Sequence, residues 1–279
     1  MLRKFEKKGN EKIMSDGKRL RMNAVTPLQS HYLANRGIGL LCFILCGFDA
    51  HQAQSQVGSG VRQIIVAQSA DWDSSTAILQ CYSRNSDRES WQPLFNKSIP
   101  VLLGRAGLAW GRGVFTPQNN GQPMKVEKDW KAPAGIFRLG QLYGYAAAPP
   151  NGASWPYVQV GPYDAWVDDS KSPFYNQHIR VDPMNIPPWF EKQKMRLGDA
   201  AYKWLLAIQH NAPPAAPGYG SAIFFHVRRG PTKPSAGCTT MAVENLEAII
   251  RWLDPGASPH YVLLPKADYA ALRDPWRLP

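Results

Sequence analysis

The residues best suited to chemistry lie between positions 220 and 240. An apolar, strand-like run, Ala222–Val227, contains His226. A Gly/Pro-rich loop follows from Gly230 and closes on Ser235-Ala236-Gly237-Cys238, just before an amphipathic stretch. A thiolate is a far stronger nucleophile than a thiol. The thiol pKa falls beside an imidazolium or a helix N-terminus. Cys238 therefore reads as a nucleophile, with His226 twelve residues upstream as the group that takes or shares its proton. Gly237 permits close approach of backbone to substrate. The N–H groups of Gly237, Cys238 and Thr239 are candidates for holding a developing oxyanion. Cys238 is expected within about one turn of the helix start, with Thr239 or Thr240 as N-cap. Ser235 lacks a Gly-x-Ser-x-Gly elbow, so it reads as a loop-fixing residue. Spacing alone leaves a second reading open, that of a core cysteine and a capping histidine.

The elements that must position this pair are mostly strands. Short runs rich in Val, Ile, Phe and Tyr occur at Arg62–Ala67, Ala77–Tyr82, Ile99–Leu103, Gly135–Leu139, Tyr157–Val160 and Ala222–Val227. Gly, Pro, Asn and Asp clusters separate them. Two stretches have helical spacing. One is Leu197–Ile208, where Leu197, Ala201, Trp204, Leu205 and Ile208 share a face. The other is Val243–Leu253, which stops at Asp254-Pro255-Gly256. The reading is a β-rich single domain over residues 57–279 with few helices. The 23 Gly and 24 Pro of the chain argue against an all-helical protein.

The net charge is +11, but it is unevenly placed. Residues 1–36 hold nine Lys/Arg and three acids. A basic surface for nucleic acid is thus not indicated over the domain. The basic segment precedes the apolar run Gly37–Phe48 and a polar stretch, the order of a secretory signal. Residues 1–56 therefore read as a targeting segment. The expected location is the periplasm or cell envelope, with any membrane association through that signal or anchor. Cys42 and Cys46 fall inside it. Cys81 and Cys238 remain, and Cys81 reads as a small buried hydrophobe in an alternating strand.

Six histidines are present: His31, His51, His178, His210, His226 and His260. No His-Glu-x-x-His or Cys-x-x-Cys spacing points to zinc, and no glycine-rich phosphate loop points to a nucleotide. No cofactor is expected. His178 and His210 read as loop or surface residues. The aromatic set Trp155, Tyr157, Tyr163, Trp166, Phe174 and Tyr175 reads as packing, some of it able to line a substrate groove. Arg228 and Arg229 read as solvated, though beside the reactive strand they could meet a peptide carboxylate.

His226 with Ser235-x-Gly237-Cys238 resembles the YkuD-type L,D-transpeptidase domain. Pro100–Leu108 is similar to that family's early strand and turn. Lys125–Phe137 is similar to its Lys-x-Glu-Gly-Asp-Gly-x-Thr-Pro-Ala-Gly-x-Phe hairpin. Trp166-Val167-Asp168-Asp169 with Tyr175-Asn176 resembles the subgroup without added wall-binding modules. The likeness spans about residues 61–265. It implies a YkuD-like β-sandwich with a helix after the catalytic loop. It implies peptidoglycan stem peptides as partners and acyl transfer through a Cys238 thioester. Cys238 would attack the carbonyl of the third residue of a tetrapeptide stem and expel the terminal D-Ala. A side-chain amine of a neighbouring stem would then complete a 3–3 crosslink. His226 would serve as base and then acid, oriented by a backbone carbonyl. L,D-carboxypeptidase or amidase action by the same cysteine shares the first half of this chemistry. A non-catalytic wall-binding protein would not need the thiol. A papain-like peptidase usually has its Cys early and its His far downstream, the reverse of this chain. The chain departs from the family pattern at Thr240, where Arg or Asn is common, and at Lys128 and Trp130, where Gly is usual.

Overall fold

The computed structural model describes residues 57–115 and 121–279. Residues 1–56, read above as a targeting segment and holding His31, Cys42, Cys46 and His51, lie outside the described residues. The strands are β1 (Gln63–Ser69), β2 (Thr76–Ser83), β3 (Gln92–Pro93), β4 (Ile99–Leu102), β5 (Leu108–Trp110), β6 (Ala132–Gly144), β7 (Tyr157–Gln159), β8 (Asp164–Trp166), β9 (His178–Arg180), β10 (Trp204–Ile208), β11 (Phe224–Val227), β12 (Thr239–Met241) and β13 (His260–Pro265). The helices are α1 (Phe190–Gln193), α2 (Val243–Trp252) and α3 (Lys266–Trp276). The fold is β-rich with few helices, in keeping with the composition.

Strand pairing runs β1-β13-β6-β10-β11-β12-β4-β2, and β2 pairs again with β1, so eight strands close into a ring. Closure removes the exposed edges that an open sheet would present. In β2 the alternation is direct, with Ala77, Leu79 and Cys81 buried and Thr76 and Ile78 exposed. β13 is buried at every position, a continuous apolar run of the kind covered on both faces. α3 packs over β13 and β1. α2 places Leu246, Ile249 and Ile250 in the core, at the spacing that the sequence predicts.

The helix expected at Leu197–Ile208 does not form. A single 3-10 turn covers Ala200–Tyr202, and Trp204–Ile208 is strand β10, buried throughout. A run of five apolar residues satisfies both helical and strand periodicity. Here β6 and β11 both pair with it, and those ladders decide the outcome. Leu197, assigned to the apolar face, is instead 45% exposed.

The hairpin before β6 keeps left-handed backbone without glycine. Lys128 has φ 63° and Trp130 has φ 61°. An L-residue there costs on the order of 1 kcal/mol. Asp129 offsets this by accepting the Val126 N–H at 2.9 Å, the Lys131 N–H at 2.9 Å and the Lys125 ammonium at 2.7 Å. The Arg105 guanidinium stacks 3.7 Å over the Trp130 ring.

Candidate active site

β11 lies inside the ring, antiparallel to β10 and parallel to β12. The register sets Phe225 opposite Thr239 and His226 opposite Thr240. Cys238, one residue before β12, therefore lies beside Phe224. Residues facing each other across a ladder share a face, and every second residue returns to it. Cys238, Phe224 and His226 thus project to the same side. Packing agrees, since Cys238 contacts the cluster formed by Phe224, Leu205, Ala207 and Tyr143.

The loop before Cys238 is pinned at Ser235. Its hydroxyl donates to the Cys238 carbonyl at 2.5 Å and accepts the Gly237 N–H at 3.0 Å. Its backbone bonds Leu103 O at 2.8 Å and accepts the Arg105 N–H at 3.0 Å. Gly237 has φ 147°, and a Cβ there would stand 2.9 Å from the Lys131 carbonyl, so the position requires glycine. The Gly237 N–H expected in an oxyanion hole is thus taken by Ser235. The expected cap is also absent. Thr239 and Thr240 are in β12, and α2 begins at Val243 after Ala242, which makes no side-chain cap. The strand interposes itself, so the helix terminus does not reach Cys238.

Thr239 turns inward instead. Its hydroxyl meets the Tyr261 hydroxyl at 2.9 Å, both fully buried. Thr239→Val should cost about 1–3 kcal/mol in urea unfolding by orphaning the Tyr261 hydroxyl. Adding Tyr261→Phe should recover most of that loss. Equal stability of Thr239→Val and the unaltered chain would refute the pairing.

Cys238 is half-buried and free. Its Sγ donates to Ala222 O at 3.5 Å. Burial pushes the thiol up to about 11, against smaller lowering by the Phe224 N–H, Lys125 and Arg229. Burial likewise lowers His226 to about 4. The Nδ1 of His226 lies 2.8 Å from Val227 O. A carbonyl only accepts, so Nδ1 carries the proton and Nε2 carries the lone pair. The sequence suggests an ionised sulfur; burial in the structure favours the neutral thiol and the neutral imidazole, because desolvation outweighs the nearby cations.

The Trp166…Tyr175-Asn176 motif supports this arrangement from behind. Asn176 Oδ1 accepts the Trp166 indole N–H and the Ala222 N–H, each at 3.0 Å. Its Nδ2 donates to His210 O and Asn211 O. These bonds hold Ala222 at φ 55°, with its carbonyl against the sulfur. Tyr175, one of the aromatics read as packing or as able to line a substrate groove, is buried, and its hydroxyl bonds Glu127, which also accepts the Ser221 hydroxyl at 2.9 Å. Arg228 lines a separate hollow with Pro100 and Lys266. Arg229 reaches the His226 side and is held by Asp199 at 3.1 and 2.9 Å.

His210 is a structural residue but not a surface one. It is 2% exposed, accepting the Arg112 N–H on Nδ1 and donating to Tyr219 O from Nε2. His178, half-buried in β9, bonds Asp164 at 2.8 Å. Sequence reasoning missed Asp199, Tyr202 and Lys125. The Tyr202 ring meets the His226 ring edge-on at 5.5 Å. Lys125 is 3% exposed beside Gly237. A charged residue inside an apolar-flanked hairpin was the available signal for Lys125; nothing local marks the other two.

Burial lowers His210 to about 3 and also lowers His260, as it does His226. Below the ordinary imidazole value of 6.5 the unfolded chain binds protons that the folded chain refuses. Stability present above that value should therefore fall as pH drops from about 6.5 toward 4. A urea midpoint that is unchanged between pH 7 and pH 5 would contradict this.

A model of the YkuD L,D-transpeptidase catalytic domain matches residues 68–262. The chain belongs to the YkuD family. Neither a curated protein nor a solved structure matches it significantly. The matched span contains both β11 and the Cys238 loop. The closed β-rich ring and the helix that follows β12 are consistent with the YkuD fold. Membership places the chain among the cysteine-dependent L,D-transpeptidases, a family that acts on peptidoglycan stem peptides.

Proposed function

We propose that the protein forms 3–3 crosslinks in peptidoglycan through a thioester on Cys238. The observation that supports this best is the shared face of Cys238 and His226, with the His226 tautomer that leaves Nε2 as a base. Nε2 takes the thiol proton as Sγ attacks the carbonyl of the third residue of a tetrapeptide stem. The same proton then passes to the amine of the departing D-Ala as the C–N bond breaks. Cys238 is left acylated and His226 neutral. The side-chain amine of a second stem attacks the thioester and loses a proton to Nε2, and the sulfur leaves and is reprotonated. The reaction takes place outside the cytoplasm, with residues 1–56 as the export signal.

Incubation with purified tetrapeptide muropeptides tests the reading. Crosslinked dimers are expected. Tripeptides alone would make the protein a carboxypeptidase, and separated glycan and peptide would make it an amidase. A fusion of residues 1–56 to a reporter active only outside the cytoplasm tests the location.

A further inference from the structure

We propose that the hollow beside His226 is a subsite for the free terminal carboxylate of the donor stem, recognised by Arg105, Arg229 and Lys233. The proposal rests on the transpeptidase reading. His226 Nδ1 is tied to Val227 O, so Nε2 is the nitrogen that hands a proton to the leaving amine. In a terminal amino acid the carboxylate carbon is two bonds from that amine, about 2.5 Å away. The carboxylate must therefore sit within a few ångströms of the imidazole.

His226 lines an open hollow of about 140 Å³ whose wall also carries Arg105, Trp130, Arg229, Lys233 and Thr240. Among the described residues, three cations and no carboxylate line it. Thr240 brings no charge, so the positive field comes from the walls. Each wall is fixed by different contacts. Arg105 stacks 3.7 Å over Trp130, and its N–H bonds Ser235 O. Arg229 lies over the Tyr202 ring at 5.2 Å and directs two N–H groups to Asp199. A guanidinium has five N–H donors, so Asp199 orients it without exhausting it. Lys233 lies on the loop that joins β11 to Cys238. A planar anion is the ligand such a set selects. The acceptor stem also carries carboxylates, but the leaving residue is the one that His226 must touch in the first half-reaction.

The test uses the full chain without an acceptor amine, which confines it to donor recognition. Two synthetic tetrapeptide stems are compared, one ending in D-alanine and one in D-alaninamide. Acylation of Cys238 is followed by intact mass and by release of the terminal residue. A charge-assisted contact contributes about 1.5–3 kcal/mol, so kcat/KM for the amide should be roughly tenfold to hundredfold lower. In Arg105→Gln/Lys233→Gln, where Arg229 still faces the anion, the preference for the carboxylate donor should shrink by at least about threefold, through slower reaction of that donor. Equal rates of the two donors in the unaltered chain would overturn the subsite while leaving the transpeptidase reading intact. Undiminished discrimination in the double variant would remove Arg105 and Lys233 from the role and overturn the three-cation subsite. Acylation by neither donor would sink both readings. The donor comparison needs no variant, so a folding defect cannot obscure it.

Discussion

Replacing Cys238 by alanine should abolish acyl-enzyme formation. The measurement is the mass of intact protein after incubation with a carbapenem or a tetrapeptide donor. The unaltered chain should gain one adduct and Cys238→Ala none. No other described cysteine can substitute. Cys81 is free but fully buried in β2, where burial raises its thiol far above the working range. The fold should survive, because Cys238 is only half-buried and its thiol makes one long bond, 3.5 Å to Ala222 O. An adduct that persists in Cys238→Ala would place the nucleophile elsewhere.

Removal of the imidazole is the second large effect. His226→Gln should lower acylation by about 10²–10⁴-fold, the usual contribution of a positioned base. The pH dependence carries more information than the size of the loss. His226 is lowered to about 4 and Cys238 raised to about 11, so between these values the resting pair is thiol and neutral base. kcat/KM for acylation should rise as pH rises through about 4, where His226 loses its proton, and then stay level through neutrality. The low-pH limb should vanish in His226→Gln. A preformed thiolate–imidazolium pair would instead give a bell, with thiol ionisation on its acid side. A bell centred near neutrality would therefore refute the neutral resting state. The double variant Cys238→Ala/His226→Gln should be no worse than Cys238→Ala, since the two groups act as a unit.

The departures of the hairpin from the family pattern acquire a physical meaning in three dimensions. Lys128 and Trp130 replace glycines yet hold the left-handed backbone that glycines favour. Trp130 also provides the ring on which Arg105 lies. Trp130, where the resemblance has glycine, thus holds a cation at the edge of the His226 hollow.

The candidate pair Cys238 and His226, the glycine before the sulfur, strand β11 and helix α2 were all legible because their determinants are local. Cys238 and His226 are twelve residues apart, and a strand, a loop and a returning strand bring them together by chain connectivity alone. Helix α2 announces itself by apolar spacing and by Asp254-Pro255-Gly256. Only the tertiary structure decided the rest. Trp204–Ile208 became strand because β6 and β11 bond it on both sides, a competition that no local window contains. Asp199, Tyr202, Arg105 and Lys125 converge on the site from distant parts of the chain. The protonation state of the pair was likewise beyond the sequence. Desolvation sums over everything packed around a group, and here it outweighs the few charges and dipoles that spacing could suggest.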